Sequence, residues 1–158
     1  MGTRSRIGIE LPDGQVRSVY CHWDGYPDHN GKILLQHYTQ REDVEKLIAG
    51  GNISSLRTRS TWESGEVIQE DGRFATDEHG NIRYVNDREP QPLYYKERGE
   101  KLGIQVGSFR NFTAGHACEE FAYLFTLNDE WKAYGLGYGK TFTETVEVEM
   151  PQVEAVAA

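Results

Sequence analysis

Between Tyr20 and Pro27 the chain runs Tyr20-Cys21-His22-Trp23-Asp24-Gly25-Tyr26-Pro27, which crowds a phenol, a thiol, an imidazole, an indole and a carboxylate together. An imidazole changes charge near neutral pH, and a carboxylate can orient it by accepting from a ring nitrogen. Side chains alternate along a strand, so an extended Val16 to Asp24 would place Tyr20, His22 and Asp24 on one face. Val19, Cys21 and Trp23 then share the other face, which reads as core. Strand ends beside Gly-Pro loops commonly carry binding residues. A small hydrolase or transferase could use His22 with Asp24 if the two lie within about 3 Å of each other or of a substrate atom. The same residues also have structural uses: Asp24 closing a turn before Gly25, Trp23 and Tyr26 packing on the next helix, His22 as a half-buried hydrogen bonder.

Other constellations are weaker. His116 and Cys118, with Cys21 and His22, could offer two nitrogens and two sulfurs to zinc. Adjacent strand residues point to opposite faces, however, and neither pair has the spacing of a structural zinc site, so no metal and no cofactor is expected. A Cys21 nucleophile paired with His22 or His116 is the remaining thiol chemistry, but a thiol on the apolar Val19 to Trp23 stripe reads as inert. Gly135-Leu136-Gly137-Tyr138-Gly139-Lys140 lacks the Ser/Thr after Lys that a phosphate loop requires, and reads as a glycine bend. Arg4 and Arg6 lie on the face opposite Ile7 and Ile9, with Arg17 in the paired strand. Together with His22 they could meet an anionic ligand, or form exposed ion pairs of little energy. The candidate ligand-binding set is therefore Arg4, Arg6, Tyr20, His22, Asp24 and Tyr26.

These residues need elements to hold them. Ser5, Ile7, Ile9 and Leu11 alternate with Arg6, Gly8 and Glu10, the period of a half-buried strand, and Pro12-Asp13-Gly14-Gln15 turns it into Val16 to Trp23. Asp28 or Asn30 could cap a short amphipathic helix through Tyr38, and Thr39 with Glu42 resembles a capping box for a second helix that stops at Gly50-Gly51. From 52 to 115 no apolar period is sustained. Phe74 and Ile82 to Val85 flank His79-Gly80-Asn81 as a polar hairpin, and Glu89-Pro90-Gln91-Pro92 reads as an exposed connector. The clearest β pattern is Phe121 to Leu127, turned at Asn128-Asp129 into Trp131-Lys132-Ala133-Tyr134. Thr141 to Val148 reads as the last strand and 151–158 as a flexible tail. The expectation is an α+β domain over residues 1–150, with 52–115 as an irregular insertion, built on mainly antiparallel sheet from N- and C-terminal hairpins with two helices on one face.

At 158 residues and 37% apolar content the chain suits one globular domain. No apolar run spans a membrane and the opening residues lack a signal-peptide core, so a soluble, cytoplasmic protein is expected. The formal net charge of −8 argues against nonspecific nucleic-acid binding. From His116 onward eight acidic residues face two basic ones, so six of the eight net charges lie there. Such a surface can attract a basic partner or simply keep the protein in solution. Cys21 and Cys118 read as thiols rather than a disulfide.

Gly2-Thr3-Arg4-Ser5-Arg6-Ile7-Gly8, the Tyr20 to Pro27 string, Gly31 to Tyr38, Ile53-Ser54-Ser55-Leu56 and the late aromatic hairpin resemble a family of small proteins of tailed bacteriophages and prophages. The resemblance covers about the first third of the chain plus that hairpin. It implies a phage or mobile-element setting, hence the host cytoplasm, and supplies no catalytic residues. The function expected from residues and resemblance together is a non-enzymatic accessory protein that binds a host protein or a small anionic, nucleotide-like ligand.

Overall fold

The computed structural model describes residues 2–58, 74–76, 82–84, 90–136 and 144–152. Strand β1 (Ser5–Glu10) turns into β2 (Val16–Trp23) with Ile7 opposite Val19. Asp13 Oδ1 accepts from the Gln15 amide at 2.9 Å, and Gly14 takes φ +85°, the left-handed backbone that glycine adopts without strain. A π-type turn over Pro27–Gly31 leads into α1 (Lys32–His37), followed by α2 (Arg41–Ala49). Beyond these come the short strands β3 (Ile53–Ser55), β4 (Phe74–Thr76), β5 (Ile82–Tyr84), β6 (Leu93–Tyr94) and β7 (Gln105–Gly107). A 3-10 turn, Tyr95–Arg98, separates β6 from β7. Helix α3 (Phe109–Phe112), the hairpin of β8 (Phe121–Phe125) with β9 (Trp131–Gly135), and β10 (Val146–Val148) complete the described chain.

The fold is α+β. Its eight-stranded sheet has the order β10-β9-β8-β1-β2-β3-β6, with β7 on the first half of β2, and β4 pairs β5 separately. Most pairs are antiparallel, but β1 with β8 and β2 with β3 are parallel. The parallel β1–β8 ladder joins the N-terminal hairpin to the C-terminal one. On one face Ile7, Ile9, Val19, Cys21, Tyr123 and Phe125 pack against Ile33, Leu34, Val44, Leu47 and Ile48 of α1 and α2. On the other, Phe112 of α3 lies with Val16, Ala122, Leu124 and Leu136.

Several expectations need correction. Strand β1 is buried on both faces, because it is central and because Phe112 covers Gly8, where a Cβ would come within 2.7 Å of the ring. Trp23 is not core: at the end of β2 it is 44% exposed and lies over Gly2, where a Cβ would sit 2.5 Å from its ring. Neither Asp28 nor Asn30 caps α1, whose N-cap is Gly31. Asn30 is instead fully buried, donating to Ser5 Oγ and to Cys21 Sγ, each at 3.3 Å. Helix α2 begins after Gln40 with no side-chain cap, so the Thr39 box does not form. Pro90-Gln91-Pro92 is half-buried rather than exposed, since Pro90 bridges Thr58 and the Gln91 amide donates to the Arg57 carbonyl. The β4–β5 hairpin forms as read, with its turn His79-Gly80-Asn81 outside the described residues. The glycine bend 137–140, the start of the last strand at 141–143 and the tail from 153 also lie outside them.

Candidate functional site

Residues directly opposite in a ladder share a face, so the register assigns each candidate. Arg6 stands opposite Tyr20, placing both on the α3 side of the sheet. Arg17 stands opposite Ile9 and is exposed on the α1/α2 side, so the three arginines do not converge.

Arg6 is committed within the fold. Its Nε donates to Glu119 Oε2 at 2.7 Å and its Nη1 to Ser18 Oγ at 3.2 Å, with both charged side chains almost wholly buried. Glu119 Oε1 accepts in turn from the Ala117 amide at 2.6 Å. A buried ion pair needs further hydrogen bonds to hold, and Ser18 on the guanidinium and the Ala117 amide on the carboxylate supply two of them. One of the C-terminal acidic residues is therefore internal rather than part of an acidic surface.

Arg4, Tyr20 and His22 do come together. The Tyr20 hydroxyl and His22 Nδ1 are 2.7 Å apart, and the Arg4 guanidinium lies within hydrogen-bonding reach of the same hydroxyl. Partial burial, reinforced by the charge of Arg4, pushes the His22 pKa below its ordinary 6.5. The imidazole is accordingly neutral at pH 7, and its Nδ1 shares one hydrogen bond with the Tyr20 hydroxyl. Burial raises the Tyr20 pKa and Arg4 partly offsets that rise. Guanidinium, phenol and imidazole thus stand in a row, with Trp23 edge-on to His22 at 4.6 Å.

Asp24 does not continue the strand. Its φ of +54° turns the backbone out of the pleat, the Gly25 amide donates to the Thr3 carbonyl at 2.8 Å, and buried Tyr123 donates its hydroxyl to the Gly25 carbonyl at 2.5 Å. Gly25 fits because a Cβ there would be 2.7 Å from that of Ser5. His22 Nδ1 thus pairs with Tyr20, where the sequence suggested an Asp24 partner. Tyr26 is 39% exposed, with its ring 6.1 Å from that of His29. Burial pushes the Cys21 thiol up to about 11, which leaves it protonated and unreactive at neutral pH. Among the described residues no group of three or more His, Cys, Asp or Glu could hold a metal ion.

Tyr20 also lines a cavity of about 430 Å³ with Asn52, Tyr95, Glu100, Lys101 and Gly103. Asn52 builds it. Its Oδ1 accepts from the Tyr20 amide at 3.0 Å, its own amide donates to the Leu102 carbonyl at 2.6 Å, and its carbonyl accepts from the Tyr95 amide at 3.1 Å. The Arg98 guanidinium lies 4.6 Å from the Tyr95 ring centre and pairs with Glu100 at 3.3 Å. Asn52, Tyr95 and Lys101 were not among the sequence candidates. Asn52 followed a Gly-Gly helix stop, and the other two lie in the stretch where periodicity failed.

No helix among the described residues is long and apolar enough to cross a membrane. Compared with protein-family models, curated proteins and solved structures, the chain matches none.

Proposed function

We propose that this is a binding protein which takes a small anionic, nucleotide-like ligand at the Arg4, Tyr20 and His22 cluster and the neighbouring cavity. One observation carries the reading: in a chain of net charge −8, the Tyr20 and Tyr95 rings and Lys101 line one cavity with Glu100, while Arg4 stands at the Tyr20 hydroxyl and Arg98 over the Tyr95 ring. Guanidinium and ammonium groups suit phosphate oxygens, and a tyrosine face suits a base. An arginine has five N–H donors, more than one phenol oxygen can use. The resemblance of the first third of the chain and the late hairpin supports a phage or mobile-element setting, and with it a site of action in the host cytoplasm.

Calorimetric titration with nucleoside mono- and diphosphates, alongside inorganic phosphate, tests the site. The expected result is saturable binding of at least one nucleotide, weakened about tenfold or more by Arg4→Gln and by His22→Ala, a loss of about 1.4 kcal/mol. Thermal melts of both variants should stay near that of the parent. Isotherms unaltered in both variants would remove the site.

A further inference from the structure

On the same face of the sheet, at the opposite end of β1, lies a second cavity of about 400 Å³. Phe109 forms one wall and Tyr134 another, their rings T-shaped with centres 5.0 Å apart, over a floor that includes Val16 and Leu124. Phe109 is 39% exposed. Glu10 and Glu130 line the rim, and the charges of Glu147 and Glu10 both act on the Tyr134 hydroxyl. The single cation in the lining, Lys132, is drawn to Glu147 at 3.7 Å. Glu10, Glu130 and Glu147 therefore leave two negative charges in excess once Lys132 is counted.

The geometry of this rim is fixed. Thr126 Oγ1 accepts from the amides of Asn128 and Glu130, while Glu10 Oε1 accepts from the Leu127 amide at 2.9 Å. Ser108 Oγ accepts from the Asn111 amide at 3.1 Å, which caps α3 and sets Phe109. Aromatic faces beside carboxylates form a receptor for an organic cation: the rings attract its charge and cover its alkyl stem, and the carboxylates take its N–H donors.

We propose that this groove seats an arginine side chain from a basic segment of a partner protein. Arginine suits it better than lysine because a planar guanidinium can stack on an aromatic ring and still donate in its own plane to a carboxylate. The site is separate from the anion cavity, and its charge is opposite.

Two-dimensional amide NMR of the full chain, titrated with the peptide Ac-Ala-Arg-Ala-NH2 and with its citrulline counterpart, tests this. Citrulline keeps the shape and removes the charge. The arginine peptide should shift the amides of Phe109, Thr126, Glu130 and Tyr134 with a dissociation constant of millimolar order, about that of a single side chain, and the citrulline peptide should not. Glu130→Gln and Phe109→Ala should each weaken binding about fivefold or more. Glu42→Gln, which removes the same charge from the exposed surface of α2, should leave it unchanged, as should Arg4→Gln. Equal shifts from both peptides, shifts scattered over acidic residues generally, equal weakening by Glu42→Gln, or no shift at about 10 mM would overturn the proposal.

Discussion

At His22 the relevant quantity is a proton count. Burial and Arg4 lower its folded-state pKa below 6.5, so below that pH the unfolded chain binds more protons at this position than the folded one. Its contribution is accordingly present above the unfolded value, and the protein loses stability as pH falls through about 6.5 toward the lower folded value. The imidazole resonances should titrate with a midpoint below 6.5, and Arg4→Gln should raise that midpoint. A midpoint at or above 6.5, indifferent to Arg4→Gln, would mean that the guanidinium does not reach the ring. The sequence made these residues legible as types, and alternation put Arg4, Tyr20 and His22 on one face. It misjudged Asp24, because a left-handed backbone ends the alternation, and a local pattern contains nothing to place Glu119 against Arg6.

Elements divide between those that local chemistry dictates and those that contacts impose. The β8–β9 hairpin is of the first kind: its alternating aromatics and Asn128-Asp129 turn were readable, and Asp129 takes φ +60° at the turn. Trp131 is half-buried, meets Phe125 edge-to-face with ring centres 5.2 Å apart and donates its Nε1–H to the Tyr38 carbonyl at 2.8 Å. Trp131→Ala should lower unfolding free energy in urea by about 3 kcal/mol, at the lower end of the range for large aromatic truncations because part of the ring remains in water. A loss under about 1 kcal/mol would show that the indole does not pin the hairpin to the helices. Strands β3, β6 and β7 are of the second kind. Two or three residues carry no period, and they exist because Asn52 and the edge of β2 supply partners. The second cavity depends on α3, a four-residue helix whose sequence signal was only Ser108 followed by Asn111.

Across the whole molecule the sheet is graded from a covered centre to open edges. Strand β1 has ladders on both edges and is covered on both faces, whereas β10 and β6 end the sheet order among the described residues. Amide exchange tracks how much of the structure must open to free each group. Ile7 and Ile9 should exchange only through global unfolding, and Val146, Val148, Leu93 and Tyr94 much sooner by local opening. Comparable protection in all of them would mean that the sheet unfolds as one unit. Hydropathy and turn chemistry gave the α+β class but not the order of strands, since parallel pairs carry no hairpin signature.

That order also bears on how the protein is made. Ribosomes release β1 long before β8, the partner that completes it, which runs from Phe121 to Phe125. While the residues between β2 and β8 are being made, Ile7 and Ile9 therefore lie in a segment with one open edge, the arrangement that invites pairing with a neighbouring nascent chain. Arg6 likewise has no partner carboxylate until Glu119, two residues before β8, has been made, so its internal ion pair can form no earlier than the ladder it accompanies.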